Sequence, residues 1–548
     1  MTSDNPAEQF LRPPSDDEEY AAVYREPSAY SPLSTFTLPR GEMRHFQQQY
    51  ADIYFLRLAR LKPAVAEIAV AAWEGFNIAG EHARRVDRVL DVRQGELCWV
   101  AGTIYMDLPL KPNILDDISK EHWTSAPPPR KTYLDPSNQA SATTMLEDES
   151  GRLQLTGTFL QTALLVTGAI VAVLGTENAN GEFEVIDVKV PDLPPQPERW
   201  ERSSPPPESS KRKHSSLEEA GGGTEGKRKK IALVSGLGIT GTSGDTVALS
   251  LLTDYLLGYN ESPAQTGDTN LPTSSSQITR LIIAGNSLGS SMITAHDPES
   301  DPTAKKRHAP KKYGYDATAY NASPINHFDT FLAEILPSIP VTLMPGETDP
   351  ANFSVPQQEI HRAMFPRAKA YCVGARPGAT GVATETGWLD NVTNPWEGDV
   401  EGWRFWGCSG QNVDDVLRYI DLEDGNDNGS EIDKDGHTRL RLMEAMLRWR
   451  CAVPTAPDTL WCYPYQSHDP FTLQACPHVF FAGNQPSFRT AIVEGSAPLS
   501  SSETAEEQGT RVRVITLPKF NETGEIVLVD AETLEVEVVK FGTFPKAA

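Results

Sequence analysis

Four short turns, each directly after an apolar segment, carry the side chains of this sequence that could hold metal ions. The apolar segments are candidate buried strands: Ile231–Ser235, Leu281–Ala284, Val341–Met344 and His478–Ala482. Strands that end side by side bring their following turns together at one edge of a sheet. Carboxylates and imidazoles in such turns could balance the charge of two divalent cations, which would then polarise a phosphate and a water molecule. The spacing therefore predicts the scaffold of a binuclear phosphoesterase site.

The first two turns lack the ligands that this chemistry requires. The first turn has Ser235 and Leu237 at the positions where Asp and His would be needed. The second turn has the neutral amide Asn286 in place of an Asp that would bridge two cations. A hydroxyl, an aliphatic side chain and an amide cannot supply the negative charge that two divalent cations need. The sequence thus predicts that the scaffold is retained and that catalysis is lost.

The third and fourth turns leave a narrower alternative open. The third turn keeps two carboxylates, Glu347 and Asp349, on either side of Thr348. One weakly bound ion near Asp349 is the alternative, and carboxylates satisfied within the turn are the favoured interpretation. The fourth turn offers Asn484 and no imidazole, so water activation between two metals is excluded. We predict no catalytic residue, no resident metal and no cofactor.

Two other motifs imitate ligand sites. Gly236–Gly241 has the GxGxxG form of a dinucleotide-binding turn, but Asp254 lies within the next predicted helix rather than at the tip of a second strand. Thr242 stands where a nucleotide-binding loop needs Lys. Asp424–Gly429 resembles the start of a calcium loop, with the shorter Asp435 at the position of the usual Glu. Neither a nucleotide nor calcium is predicted.

Composition limits the classes of partner and compartment. The chain has 548 residues, a formal net charge of −25 and six cysteines without a Cys-x-x-Cys pair. Such an acidic surface repels phosphate backbones, so DNA contact is predicted to be only indirect. No apolar run is long enough to span a membrane, and the N-terminus lacks the features of a secretory signal. Reduced, buried thiols are the favoured interpretation of the cysteines.

The composition changes along the chain and predicts four regions. They are a flexible N-terminal arm (1–41), a helical lead-in with a β-barrel domain (42–195), a flexible basic linker (196–229) and a layered α/β domain (230–548). Apolar residues recur at helical spacing up to Trp73, with Pro63 expected to break or kink the helix. Short glycine-containing strands then suit an OB-type barrel, with a generic β-sandwich as the alternative.

Two basic clusters lie in the predicted linker. They consist of Lys211, Arg212 and Lys213, and of Lys227, Arg228, Lys229 and Lys230. Paired basic clusters on a flexible segment are typical of a bipartite nuclear-import signal, whereas a solvated charged linker is the simpler alternative. In so acidic a chain we favour the import signal and predict a nuclear location.

Several longer motifs resemble one family. They are Met344–Pro350, Pro356–His361, Met364–Pro366, Ser409–Val413 and Cys476–Phe488. Together they resemble the B-subunits of eukaryotic replicative DNA polymerases, and within them the small (second) subunits of DNA polymerase delta. The resemblance extends from about residue 42 to residue 541, and the polar linker and loops depart from it.

The resemblance implies an OB domain joined to a calcineurin-like metallophosphoesterase domain that has lost catalysis. It implies a scaffold that holds the C-terminal metal-binding domain of the polymerase delta catalytic subunit and a third subunit. Similar small subunits are shared with the translesion polymerase zeta. Two alternatives remain: a metal-dependent 3′–5′ nuclease, as in archaeal relatives, and a module for single-stranded DNA. The barrel offers few aromatic platforms, such as Trp99 and Tyr105, for the second of these.

Overall fold

The structure is a computed structural model of the whole chain. It describes residues 25–39, 51–78, 80–112, 131–135, 142–205, 229–242, 246–259, 274–289, 321–372, 387–420, 431–495 and 509–542. None of the helices in these ranges is both long and apolar enough to cross a membrane.

The N-terminal elements include a barrel and its covering helix, preceded by a strand that joins a sheet of the second domain. They are β1 (Tyr30–Pro32), α1 (Ala51–Trp73), β2 (Asn77–Ile78), β3 (Glu81–His82), β4 (Arg84–Val86), β5 (Leu97–Asp107), β6 (Thr143–Glu147), β7 (Arg152–Thr156), β8 (Ile170–Glu177) and β9 (Glu182–Lys189). Strands β5 to β9 pair in the order β5-β6-β7-β9-β8, and β8 also pairs with β5. The sheet therefore closes into a barrel of five strands, which agrees with the predicted OB-type barrel.

Helix α1 packs on the barrel through one apolar face. Its buried residues include Ile53, Leu61 and Trp73, and it covers the strands that carry Trp99. The helix continues through Pro63, so of the predicted break or kink at this residue the break does not occur. Packing of the apolar face on the barrel offsets the hydrogen bond that proline cannot donate.

The remaining elements form two six-stranded sheets and their helices. They are β10 (Lys230–Val234), α2 (Thr246–Leu257), β11 (Ile278–Ala284), α3 (Ser323–Ile335), β12 (Val341–Met344), β13 (Leu389–Asn391), β14 (Trp396–Val400), β15 (Trp403–Cys408), α4 (Gln411–Leu417), α5 (Glu431–Arg448), β16 (Val479–Gln485), β17 (Arg489–Glu494), β18 (Arg511–Pro518), α6 (Phe520–Thr523), β19 (Glu525–Asp530) and β20 (Val536–Lys540). One sheet has the order β1-β14-β15-β16-β18-β17, and the other has the order β13-β12-β11-β10-β19-β20.

The two sheets pack face to face between outer layers of helices. Leu233 and Ile282 of one sheet share a core with Phe405 and Phe481 of the other. Helices α2 and α3 cover the outer face of the sheet that contains β10 to β13. Helices α4 and α5 cover the outer face of the sheet that contains β14 to β16. Both sheets are thus buried on both faces, which explains why their central strands are continuous apolar runs. The layered α/β prediction is confirmed as a four-layer sandwich.

Residues 25–39 form a strap across the sandwich. Strand β1 pairs antiparallel with β14 at a sheet edge, and Tyr30 lies opposite Val400. Further along the strap, Phe36 is 2% exposed and packs against Trp406 and Phe471. The prediction of a flexible arm is therefore wrong for residues 25–39. The acidic and proline-rich composition of the predicted arm indicated flexibility, but Phe36 and Leu38 near the end of the arm are buried.

The first part of the predicted flexible linker also lies on the sandwich. The Gln196 side-chain amide donates to the Arg511 carbonyl at 2.7 Å. Arg199 forms an ion pair with Glu532 at 2.7 Å and donates to the Ala531 carbonyl. The prediction of flexibility is thus wrong for residues 196–205, whereas residues 206–228 lie outside the described ranges.

Candidate functional site

The turns that were predicted to converge do meet at one edge of the two sheets. The Gly236 N–H donates to the Gly285 carbonyl at 3.0 Å, which joins the first turn to the second. The Asn484 N–H donates to Ser235 Oγ at 2.9 Å, which joins the fourth turn to the first. The Thr348 N–H donates to Asn286 Oδ1 at 3.2 Å, which joins the third turn to the second. The four turns form one hydrogen-bonded cluster.

The Ser235 hydroxyl and the Asn484 side-chain NH₂ group donate to backbone carbonyls at the strand ends. Ser235 is fully buried, and its Oγ donates toward the Leu517 and Pro518 carbonyls at 3.2 and 3.0 Å. Asn484 Nδ2 donates to the Ser409 carbonyl at 2.9 Å. Asn484 Oδ1 is buried, and no described residue pairs with it. These side chains tie the strand ends together where metal ligands would be needed.

The second turn is shaped by its backbone. Asn286 has a φ of 53°, in the left-handed region that asparagine tolerates better than most residues. Its carbonyl accepts the Gly238 N–H at 3.1 Å, so part of the GxGxxG segment is bonded to this turn. Leu237 is 4% exposed and belongs to the apolar core beneath α2 and α3. Of these two predicted positions, one shapes a turn and the other packs the core.

Asp349 is a buried carboxylate that caps backbone N–H groups. It accepts from Leu288 at 3.0 Å, from Gly346 at 2.9 Å and from Ser287 at 3.2 Å. Burial raises its pKa to about 6, although these N–H donors oppose the shift. Glu347 is exposed on the same turn. Asp349 is thus hydrogen-bonded by its own turn through Gly346 and by the segment after the second turn through Ser287 and Leu288.

A network of neutral side chains, which the sequence analysis did not assign, borders the cluster. Asn394 Nδ2 lies 2.8 Å from Gln357 Oε1, 2.9 Å from Ser409 Oγ and 2.7 Å from Gln411 Oε1. The Ser409 N–H donates back to Asn394 Oδ1 at 2.9 Å. Ser409 and Gln411 belong to one motif of the family resemblance, and that motif is the feature of the sequence that could have indicated this network. Amides and hydroxyls carry no charge, so this network adds no negative charge beside the carboxylates of Glu347 and Asp349.

The charged side chains described at this edge are also engaged with protein groups. Arg439 is 8% exposed, forms an ion pair with Asp414 and donates to Gln485 Oε1 at 2.7 Å, next to Asn484. In the part of the chain that the structure describes, no group of three or more His, Cys, Asp or Glu side chains could hold a metal ion. The residues present therefore do not fit a binuclear metal centre, and we derive no reaction through one.

The other sequence-predicted residues fall in different places. Lys229 forms an ion pair with Glu401 at 3.2 Å, and Lys230 opens β10 and pairs with Glu537 at 2.7 Å. The remaining members of the basic clusters, Lys211–Lys213 with Lys227 and Arg228, lie outside the described residues, as does the Asp424–Gly429 part of the calcium-like motif. The import prediction therefore depends on the residues before Lys229.

The aromatic side chains on the barrel are already engaged. Trp99 is 4% exposed, and its ring lies 5.9 Å from that of Trp73 on α1. Two cations lie against the Tyr105 ring, with Lys111 Nζ at 4.4 Å and the Arg152 guanidinium at 4.9 Å from its centre. Binding of single-stranded DNA requires free aromatic faces along a basic groove. Neither ring has both faces free to stack on bases.

Comparison with known proteins places these features in a family. The family model of the DNA polymerase alpha/epsilon B-subunit matches residues 231–490, and that of the DNA polymerase delta subunit OB-fold domain matches residues 49–188. A Saccharomyces cerevisiae protein described as DNA polymerase delta small subunit is 34% identical over 91% of this chain and 90% of its own length.

The chain belongs to the family of DNA polymerase delta small subunits. Another similar member, from Oryza sativa subsp. japonica, is 32% identical over 95% of this chain and 99% of its own length. A Drosophila melanogaster protein described as DNA polymerase delta subunit 2 is 30% identical over 93% of this chain and 97% of its own length. The family that the motifs predicted is thus confirmed, and so is the OB fold of the barrel.

Proposed function

We propose that this chain is a non-catalytic accessory subunit of DNA polymerase delta that acts as a scaffold in DNA replication and repair. The observation that carries the proposal is likeness to these small subunits over nine-tenths of the chain. The hydrogen-bonded turns with Ser235, Asn286 and Asn484 support the further proposal that the layered domain is a phosphoesterase scaffold that has lost its metal ligands. A rigid, inert sandwich is suited to presenting fixed surfaces to other subunits.

The proposed partners are the C-terminal metal-binding domain of the polymerase delta catalytic subunit and the third subunit of that polymerase. The catalytic subunit of polymerase zeta is a further proposed partner. Contact between the barrel and the sandwich supports a scaffold that uses both domains. Arg57 of α1 reaches Asp469 of the sandwich at 2.8 Å, so the two domains hold a fixed relative position. Such a scaffold would act in the nucleus and touch DNA only through its partners.

A metal-dependent nuclease is the competing function. It would need anionic ligands where Ser235, Leu237 and Asn286 stand, and Asp349 already accepts three N–H donors. A module for single-stranded DNA is a weaker candidate, because the net charge of −25 repels nucleic acid and both barrel rings are engaged.

Co-elution separates these functions. The full chain would be produced with the catalytic subunit's C-terminal domain and with the third subunit, then passed through a sizing column near physiological salt. We expect a stable complex, since permanent interfaces typically bury on the order of 2,000 Å² or more. Single-stranded oligonucleotides should bind weakly and release as salt rises. Nanomolar oligonucleotide binding without any partner co-elution would overturn the scaffold proposal.

A further inference from the structure

A cavity of about 250 Å³ lies between the strap and the sheet, away from the four turns. Arg25 and Pro27 of the strap line one side, and Arg280, Pro340 and Trp388 line the other. Pro340 and Trp388 come directly before β12 and β13, whereas the turn cluster follows the opposite ends of these parallel strands. The cavity is therefore separate from the degenerate metal edge.

Arg25 brings a positive charge to this cavity and fixes the strap against the sheet. Its two terminal nitrogens donate to the Ile278 carbonyl at 2.6 Å and to the Leu256 carbonyl at 2.8 Å. Both acceptors are neutral, and Arg25 forms no ion pair with any carboxylate that the structure describes. Burial without a paired anion lowers its pKa to about 10.

Arg280 adds a second, deeper guanidinium. It is 4% exposed, donates to Thr342 Oγ1 at 2.9 Å and lies 3.7 Å from the centre of the Tyr30 ring. The carboxylates that act on it from a distance have closer partners. Asp390 accepts the Tyr30 hydroxyl at 2.5 Å, and Glu401 pairs with Lys229 at 3.2 Å. No described carboxylate forms an ion pair with Arg280 itself.

The rim of the cavity is aromatic and accessible. Trp388 is 48% exposed, although its carbonyl is held by the Val341 N–H at 2.7 Å. Tryptophan is enriched among the residues that contribute most to binding at protein interfaces. Glu26 is the acidic lining residue, and its carboxylate lies 3.7 Å from Lys229. The cavity thus combines two arginines with one exposed ring.

We propose that this pocket binds an acidic segment of a partner polypeptide. A carboxylate of that segment contacts Arg25 and Arg280, and an adjacent apolar side chain packs on Trp388. Charge complementarity carries the argument, because an anion would compensate the buried Arg280 and the half-buried Arg25, which lack an ion-pair partner among the described residues. The proposal deepens the scaffold function and rests on it, since the segment belongs to a subunit that assembles with this chain.

The first test uses the assembled complex of the full chain. Hydrogen–deuterium exchange of residues 25–32 and 387–391 should slow by about fivefold or more on assembly. Trp388→Ala should weaken partner retention by about tenfold or more, as loss of a hot-spot aromatic does. Trp461→Ala is the matched control, because Trp461 is 46% exposed on another loop. Failure of the wild-type chain to assemble would instead overturn the scaffold function.

The second test probes the chemistry directly with the isolated chain. A fluorescein-labelled peptide, Glu-Asp-Pro-Tyr-Asp-Glu, should bind saturably, and its counterpart with Gln and Asn at the acidic positions should bind about tenfold more weakly. Arg280→Gln and Trp388→Ala should each reduce binding, with folding checked by circular dichroism. Equal binding of both peptides, or loss of binding in Trp461→Ala but not in Trp388→Ala, would overturn the proposal. Unchanged hydrogen–deuterium exchange at the pocket in an intact complex would overturn it as well.

Discussion

Arg57 and Asp469 form a buried ion pair that joins helix α1 to the sandwich. Arg57 Nε lies 2.8 Å from Asp469 Oδ2, and the two side chains are 1% and 2% exposed. A terminal nitrogen of Arg57 also donates to the Pro454 carbonyl at 2.7 Å. A buried pair need not add stability in itself, but each partner makes the other tolerable away from water. This pair therefore fixes how the barrel domain meets the sandwich.

Replacing Arg57 should destabilise the contact between the two domains. Arg57→Ala leaves Asp469 buried without its cation, and loss of one partner of such a pair costs about 3–5 kcal/mol. Urea unfolding followed by tryptophan fluorescence, together with limited proteolysis, would detect the loss. Arg85→Ala is the control, because Arg85 pairs with Asp87 in solvent and should change stability by less than about 1 kcal/mol. Equal effects of the two variants would contradict this role of Arg57.

The chain should lack phosphodiesterase and nuclease activity with Mn²⁺, Mg²⁺ or Zn²⁺. Ser235, Asn286 and Asn484 are neutral, and Ser235 Oγ, Asn286 Oδ1 and Asn484 Nδ2 each form a hydrogen bond with the backbone. Hydrolysis of bis(p-nitrophenyl) phosphate and of a labelled oligonucleotide would be measured through successive purification steps. Turnover that survives purification and disappears in Asp349→Ala would show that a working site remains.

Asp349 should make stability depend on pH. Its folded-state pKa of about 6 lies above the ordinary 3.8, so the folded chain holds this proton more tightly than the unfolded chain. The contribution to stability is greatest below about pH 4 and is lost as the pH rises through about 6. The difference in unfolding free energy between wild type and Asp349→Asn should therefore fall by up to about 3 kcal/mol between pH 4 and 7. Urea titrations at each pH measure it.

Glu347→Gln provides the control for that measurement. Glu347 lies on the same turn but is exposed, so its variant should follow the wild-type pH dependence. If Asp349→Asn and the wild type lose stability in parallel over the same pH range, Asp349 is not the group responsible.

The strap should contribute to stability through Phe36. Phe36→Ala removes a side chain that is 2% exposed between Trp406 and Phe471, and such a change typically costs about 3–5 kcal/mol. Phe353→Ala is the matched control, because Phe353 is 75% exposed and its loss should change stability by less than about 0.5 kcal/mol. Thermal melting would compare the two. Similar melting temperatures would mean that the strap is dispensable.

Nuclear accumulation should depend on the basic residues before Lys229. Alanine at Lys211–Lys213, Lys227 and Arg228 should reduce accumulation of the tagged chain without changing its melting temperature. Lys229 and Lys230 instead form ion pairs with Glu401 and Glu537, so their alanine variants should change folding more than import. Imaging must be done without co-expressed partners, which could carry the chain. Unchanged localisation of the first variant would mean that the basic clusters are not an import signal and only contribute charge to the linker.

The sequence allowed the strands, the layers and the meeting of the four turns to be predicted, because apolar runs and turn residues are local signals. It did not reveal the strap, since β1 gains its order only by pairing with β14, far along the chain. The amide network around Asn394 was missed for a similar reason. Gln357 and Gln411 are ordinary polar residues until the fold brings them to one amide. Side-chain networks of this kind depend on tertiary contacts rather than on periodicity.

The pairing of β1 with β14 has a consequence for synthesis on the ribosome. Ala29, just before β1, bonds with Glu401, just after β14, and 372 residues separate them. At about 5–20 residues per second, translation leaves the strand without its partner for roughly 20–70 s. During this interval β1 has been synthesised, but β14, with which it pairs, has not. Chaperone demand should be concentrated in that interval, before Val400 has left the exit tunnel.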